Sequence, residues 1–238
     1  MKIIRNETIE NLAHRRLMEL QKVTGRPLEP PIPIDVLAER VLGLDFLWEE
    51  IEELPGETIL GGLIPGKRLI ILNEKHQELF AEKPGLERST KGHEMGHWDL
   101  FIDKIALNHP SLFDEDGGPA SYRSSTEGTV EMIGFLEKSP EGRALLDKIQ
   151  ARADEPDESR AVNRYAAAIS MPEMLLYDEA MKIDRTKWPN LYDLAERFEV
   201  TITALTVRLK QLNLLHIGED KTLYESEDAA IGQMTFDF

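Results

Sequence analysis

The chain predicts an α+β fold, mostly helical, with a small antiparallel β-sheet and a helix-turn-helix-like segment towards its end. Three observations carry this. Apolar residues recur at three- and four-residue spacing through several long segments. Residues 44–73 instead show β-like runs broken by Pro65-Gly66-Lys67. Two short periodic runs flank the turn-forming pair Val200-Thr201.

Taken in order, residues 7–24 form an amphipathic helix with Ile9, Leu12, Leu17, Leu20 and Val23 on its apolar face, ended by Gly25-Arg26-Pro27. Pro27, Pro30, Pro31 and Pro33 make a stiff extended connector. Ile34-Asp35 opens a short helix that Gly43 stops. Residues 44–48, 59–64 and 68–73 are strand candidates, and the last two make a hairpin around Pro65-Gly66-Lys67. A helix follows from Glu87 to Asp103. Residues 104–126, rich in Asp, Gly, Ser and Pro, are predicted as a loop. Helices are predicted over 127–137, 140–153, 158–169 and 173–181. Within 190–216, Leu191, Leu194, Ala195 and Phe198 share one face, Thr201 is a candidate N-cap, and Ile202, Leu205, Val207, Leu209 and Leu212 continue on a second helix that His216 ends. The tail 217–238 is acidic and weakly patterned. The division this suggests is 1–185 as the main domain with its N-terminal helix, and 186–238 as a C-terminal helical segment.

Composition limits the function classes. With 238 residues, 41% of them hydrophobic and 30% charged, the chain suits one soluble globular domain with at most a small appendage. No apolar run approaches a membrane span, and Met1–Glu7 has no apolar signal region. The absence of cysteine excludes disulfides, thiolate metal sites and a cysteine nucleophile, and with the preceding features it predicts a cytoplasmic protein. A net charge of −16 repels phosphate backbones, so direct nucleic-acid binding is disfavoured.

The chemistry concentrates in His93-Glu94-Met95-Gly96-His97. Histidines four apart lie on one face of a helix, one turn from each other, and both imidazoles can reach a single zinc ion. Glu94, next to the first histidine, is placed to act as general base on a water beside that ion. Gly96 is costly in mid-helix, by about 1 kcal/mol, which predicts that another segment packs against it. His14, His76, His109 and His216 read as surface or helix-end residues rather than ligands.

Three segments, in order, resemble the ImmA/IrrE family of zinc metallopeptidases. Residues 87–98 are close to the family's R-x-T-x-A-H-E-x-G-H, with Gly92 in place of alanine. Residues 163–172 (Asn-Arg-Tyr-Ala-Ala-Ala-Ile-Ser-Met-Pro) are similar to its N-x-F-A-A-x-L-L-M-P, and Leu194–Thr201 with Arg208–Leu212 resembles its C-terminal pattern. The resemblance implies a metallopeptidase domain of the gluzincin-like kind, a Zn2+ cofactor held by His93 and His97, Glu94 as the catalytic base, and a protein substrate such as the repressor of a mobile element or stress regulon. It also implies a third ligand, a glutamate four residues before Asn163. That position is Ser159 here, and Glu158, about 100° away around the helix, is the candidate ligand. Glu155, or Glu127 and Glu131, are the alternatives, and a site holding metal weakly or not at all stays open. The competing expectation is a regulatory protein-binding module with a vestigial metal site.

Overall fold

A computed structural model describes residues 4–54, 58–102, 122–124, 157–218 and 221–234. The expected helices over 127–137 and 140–153, and the residues Glu127, Glu131 and Glu155, lie outside them. The architecture is α+β. Helix α1 (Asn6–Thr24) ends where Gly25 turns left-handed and its N–H closes on Gln21 O. Ile9, Ala13, Leu17 and Leu20 are its buried face, while Val23 stands 45% exposed outside it. The proline connector leads to α2 (Ile34–Val36), which runs on as a π-helical stretch Leu37–Leu42 closed by a left-handed Gly43.

Strands β1 (Asp45–Glu49), β2 (Gly61–Ile64), β3 (Leu69–Asn73) and β4 (Tyr122–Ser124) form one sheet in the order β1-β3-β2-β4. The hairpin is present, with Gly61 opposite Leu72 and Ile64 opposite Leu69. The sheet is mixed rather than antiparallel as predicted. β1 runs parallel to β3, Asp45 opposite Leu69 and Glu49 opposite Asn73. The chain leaving β1 passes β3's place before returning as β2, so β2 reverses and β3 regains β1's direction. The stretch expected to be loop contributes β4, whose Leu63–Tyr122 and Gly61–Ser124 pairings extend the sheet beyond β2.

Helices α3 (Gln77–Glu82), which the sequence reading did not anticipate, and α4 (Pro84–Leu100) follow. α4 starts with proline in its first turn, where the missing N–H costs nothing. Then come α5 (Asp157–Ser170), α6 (Glu173–Ala180), α7 (Trp188–Phe198) and α8 (Ile202–Gln211). The Thr201 hydroxyl accepts from Ala204 N at 3.1 Å, confirming it as the N-cap of α8. Val207, expected on the buried face of α8, is 37% exposed. His216 does not end a helix. It lies in β5 (His216–Ile217), paired with β6 (Leu223–Tyr224), because a left-handed Asn213 turns the chain out of α8. The tail also forms a helix, α9 (Glu227–Met234).

Two large apolar cores and a small cluster of Leu60, Phe80 and Leu86 form among the described residues. The first joins Ile9, Leu17 and Leu20 of α1, Leu37, Leu63 and Ile70 with Met95 and Trp98 of α4 and Val162, Tyr165 and Ile169 of α5. The second joins Leu176 of α6 with Leu191, Leu194 and Phe198 of α7, Leu205 and Leu209 of α8, and Leu223. Buried ion pairs lock the elements. Arg16 of α1 grips Asp99 of α4 with two hydrogen bonds of 2.8 and 2.7 Å, and Tyr165 of α5 donates to the same carboxylate at 3.0 Å. Arg208 of α8, with no exposed surface, holds Glu10 of α1 by two bonds of 2.6 and 2.8 Å and donates to Met171 O. Among the described residues no helix is long and apolar enough to cross a membrane.

Candidate metal centre

α4 is set in position before it reaches the histidines. Lys91 Nζ lies 2.8 Å from Asp35 and 2.7 Å from Glu87. Arg88 donates to Ile32 O at 2.6 Å, tying the helix to the proline connector. A Cβ on Gly85 would stand 2.8 Å from backbone atoms of Val200 and Thr201, so the α7–α8 turn rests directly on the first turn of α4. Further along, a Cβ on Gly92 would come to 3.1 Å from Ala166 Cβ, and one on Gly96 to 3.0 Å from Val162 Cα and Cβ. The missing side chains bring α4 against α5, as the mid-helix glycine predicted. Ala166 is one of the small residues that permit it.

This crossing buries the motif: His93, Glu94 and His97 are 8%, 1% and 7% exposed. The imidazoles face one another with 3.1 Å between their Nε2 atoms. Their Nδ1 atoms lie against α5. His93 Nδ1 lies 2.8 Å from Asn163 Oδ1, and His97 Nδ1 lies 3.2 Å from Glu158 Oε1. Burial, and then the charge His97 would carry, push the His93 imidazolium down to about 4 against the opposing hydrogen bond to Asn163. Burial pushes His97 down to about 4 as well. Both rings are therefore neutral at pH 7, the form that ligates metal. Two nitrogens bound to one zinc at about 2.0–2.1 Å in near-tetrahedral geometry stand roughly 3.3 Å apart, so the observed spacing suits two ligands of one ion.

The structure brings Glu158 to the pair, but on the Nδ1 side of His97 and not on the side where the Nε2 atoms meet. Ser159 is half-buried beside it. Among the described residues no third His, Cys, Asp or Glu completes a metal-holding group. His14 is exposed, and His216 lies across from Tyr224. His76, expected at the surface, is half-buried, with Nε2 2.6 Å from Glu53 Oε1. His109 is outside the described residues. Sequence reasoning missed the Asp99–Arg16–Tyr165 cluster behind the site. Asp99, two residues beyond His97 inside an apolar helix face, was its only local signal. No protein-family model matches the chain, and no curated protein matches it.

Proposed function

We propose that this protein is a zinc-dependent metallopeptidase of the ImmA/IrrE kind, acting in the cytoplasm on a regulatory protein such as a repressor. The observation that carries this is the pair of buried, neutral imidazoles with Nε2 atoms 3.1 Å apart, flanking a buried Glu94 on the same helix. His93 and His97 would hold the ion. Glu158, 3.2 Å from His97 Nδ1, is the carboxylate that would act as third ligand, and to do so it would have to reach the Nε2 side. Bound Zn2+ supplies Lewis acidity, lowering the pKa of a water and polarising the scissile carbonyl. Glu94 takes the proton of the attacking water and returns it to the leaving amine. Burial of the histidines keeps them unprotonated and ready to ligate through the neutral pH range.

One observation favours a second assignment, a binding module with a vestigial site: the described residues offer only two imidazoles where a catalytic zinc uses three protein ligands. Direct DNA binding by the α7–α8 pair has less support. Arg208 is buried on Glu10, Arg197 lies 3.1 Å from Glu179, and the turn between the helices is packed on Gly85.

The test is zinc content by elemental analysis together with hydrolysis of an unstructured protein. The expected result is one zinc per chain in the wild type and in Glu94→Gln, and none in His97→Ala. Hydrolysis should fall about 100- to 10,000-fold in Glu94→Gln. A wild type that holds zinc but cleaves nothing moves the assignment to the binding module, and one that takes up no zinc overturns the metal centre itself.

A further inference from the structure

Asn163 was singled out in the sequence only as part of a motif, and the hydrolytic step does not use it. It sits on α5, exposed, while the imidazole it touches is buried. Its Oδ1 is 2.8 Å from His93 Nδ1. An amide oxygen only accepts, so the hydrogen of this bond belongs to Nδ1. A neutral imidazole carries one N–H, which leaves Nε2 with a bare lone pair pointing towards His97. Free neutral histidine favours the opposite tautomer, with the hydrogen on Nε2, where it would block ligation. The 70-residue separation between the partners means that the α4–α5 crossing must form before this bond can exist.

We propose that Asn163 is a positioning residue: its amide oxygen holds His93 as the Nδ1–H tautomer and thereby presents Nε2 to a divalent cation. The use made of that lone pair rests on the peptidase assignment; the tautomer does not. Because Asn163 is exposed, its removal leaves no cavity, and α5 stays held by the Gly96–Val162 approach.

The test uses the full-length, metal-free protein with 15N-labelled histidine. The His93 tautomer is read from long-range 1H–15N correlations, and zinc affinity from competition with a chromophoric chelator, in wild type, Asn163→Ala and Asn163→Asp. In the wild type the hydrogen is expected on Nδ1. Asn163→Ala should lose that preference and bind Zn2+ about tenfold more weakly, the low end for an outer-shell partner, since water partly replaces an exposed acceptor. Asn163→Asp keeps an acceptor within reach and should restore both, with the melting temperature unchanged across the set. An Nε2–H tautomer in the wild type, or unaltered tautomer and affinity in Asn163→Ala, overturns the proposal. If the tautomer follows position 163 as expected but the wild type binds no zinc, Asn163 still positions His93 and the peptidase assignment falls instead.

Discussion

Where α4 crosses α5, contact is made by side chains that are absent. Gly92 and Gly96 let the helix come within 3.0–3.1 Å, measured from an added Cβ, of Val162 and Ala166. Into the same space the fold puts two histidines, a glutamate and the Asp99–Arg16 pair, all costly to bury. Between α7 and α8 the reverse holds. Leu191, Leu194, Phe198, Leu205 and Leu209 fill the contact, and a threonine caps the second helix. Each glycine gives up about 1 kcal/mol of helix propensity, and the α7–α8 pair makes no such concession. The difference teaches where to look for chemistry: local preference, packing and polarity agree in the second core and conflict in the first, and conflicts of this kind collect at functional sites.

The largest test of that contrast is Phe198→Ala. It removes a fully buried ring from the second core and should lower stability by about 3–5 kcal/mol, read from urea denaturation, while zinc affinity of the folded protein stays unchanged. A change in zinc affinity would mean that the two cores are not separable in function.

Next is Glu10→Ala, which leaves the Arg208 guanidinium buried without its carboxylate at a cost of about 3 kcal/mol. This prediction carries a pH signature. Burial raises the Glu10 carboxyl, but hydrogen bonds and charge from Arg208, then Arg164, outweigh it and set it below the ordinary 4.5. The stabilisation is then complete above pH 4.5 and is lost as pH falls through the lower folded-state value. The stability gap between wild type and Glu10→Ala should be widest near neutrality and close in acid. A gap that stays constant with pH would assign the loss to packing.

Gly96→Ala should have the smallest effect. Overpacking against Val162 costs about 1–3 kcal/mol and is offset by about 1 kcal/mol of helix propensity. The net is about 1 kcal/mol less stable, with weaker zinc binding as α4 is pushed from α5. A more stable protein with unchanged zinc affinity would show that the crossing has room to spare.

Much of this was legible in the sequence because it is local. The period of Ile9, Leu17 and Leu20, the Pro65-Gly66-Lys67 hairpin, the Thr201 cap and the spacing of His93 and His97 all act within a few residues. Strand direction is not local: the residues of β1 read the same whether it runs parallel or antiparallel to β3. The strand at His216 depended on a left-handed Asn213, which an apolar helical pattern does not reveal. Neither Asn163 on His93 nor Glu158 on His97 could be read off, since each depends on the rotation of α5 against α4. The sequence put Glu158 forward as a third metal ligand; the structure brings it to Nδ1 of His97 instead.

The Arg208–Glu10 pair spans 198 positions. At ~5–20 residues per second, a ribosome needs roughly 10–40 s to travel between them. The other partner of that carboxylate, Arg164 at 2.9 Å, is made earlier than Arg208 but only after the histidine helix. The first helix can therefore be sealed only late in synthesis, and a nascent chain stalled before residue 208 should be open to proteases at its beginning.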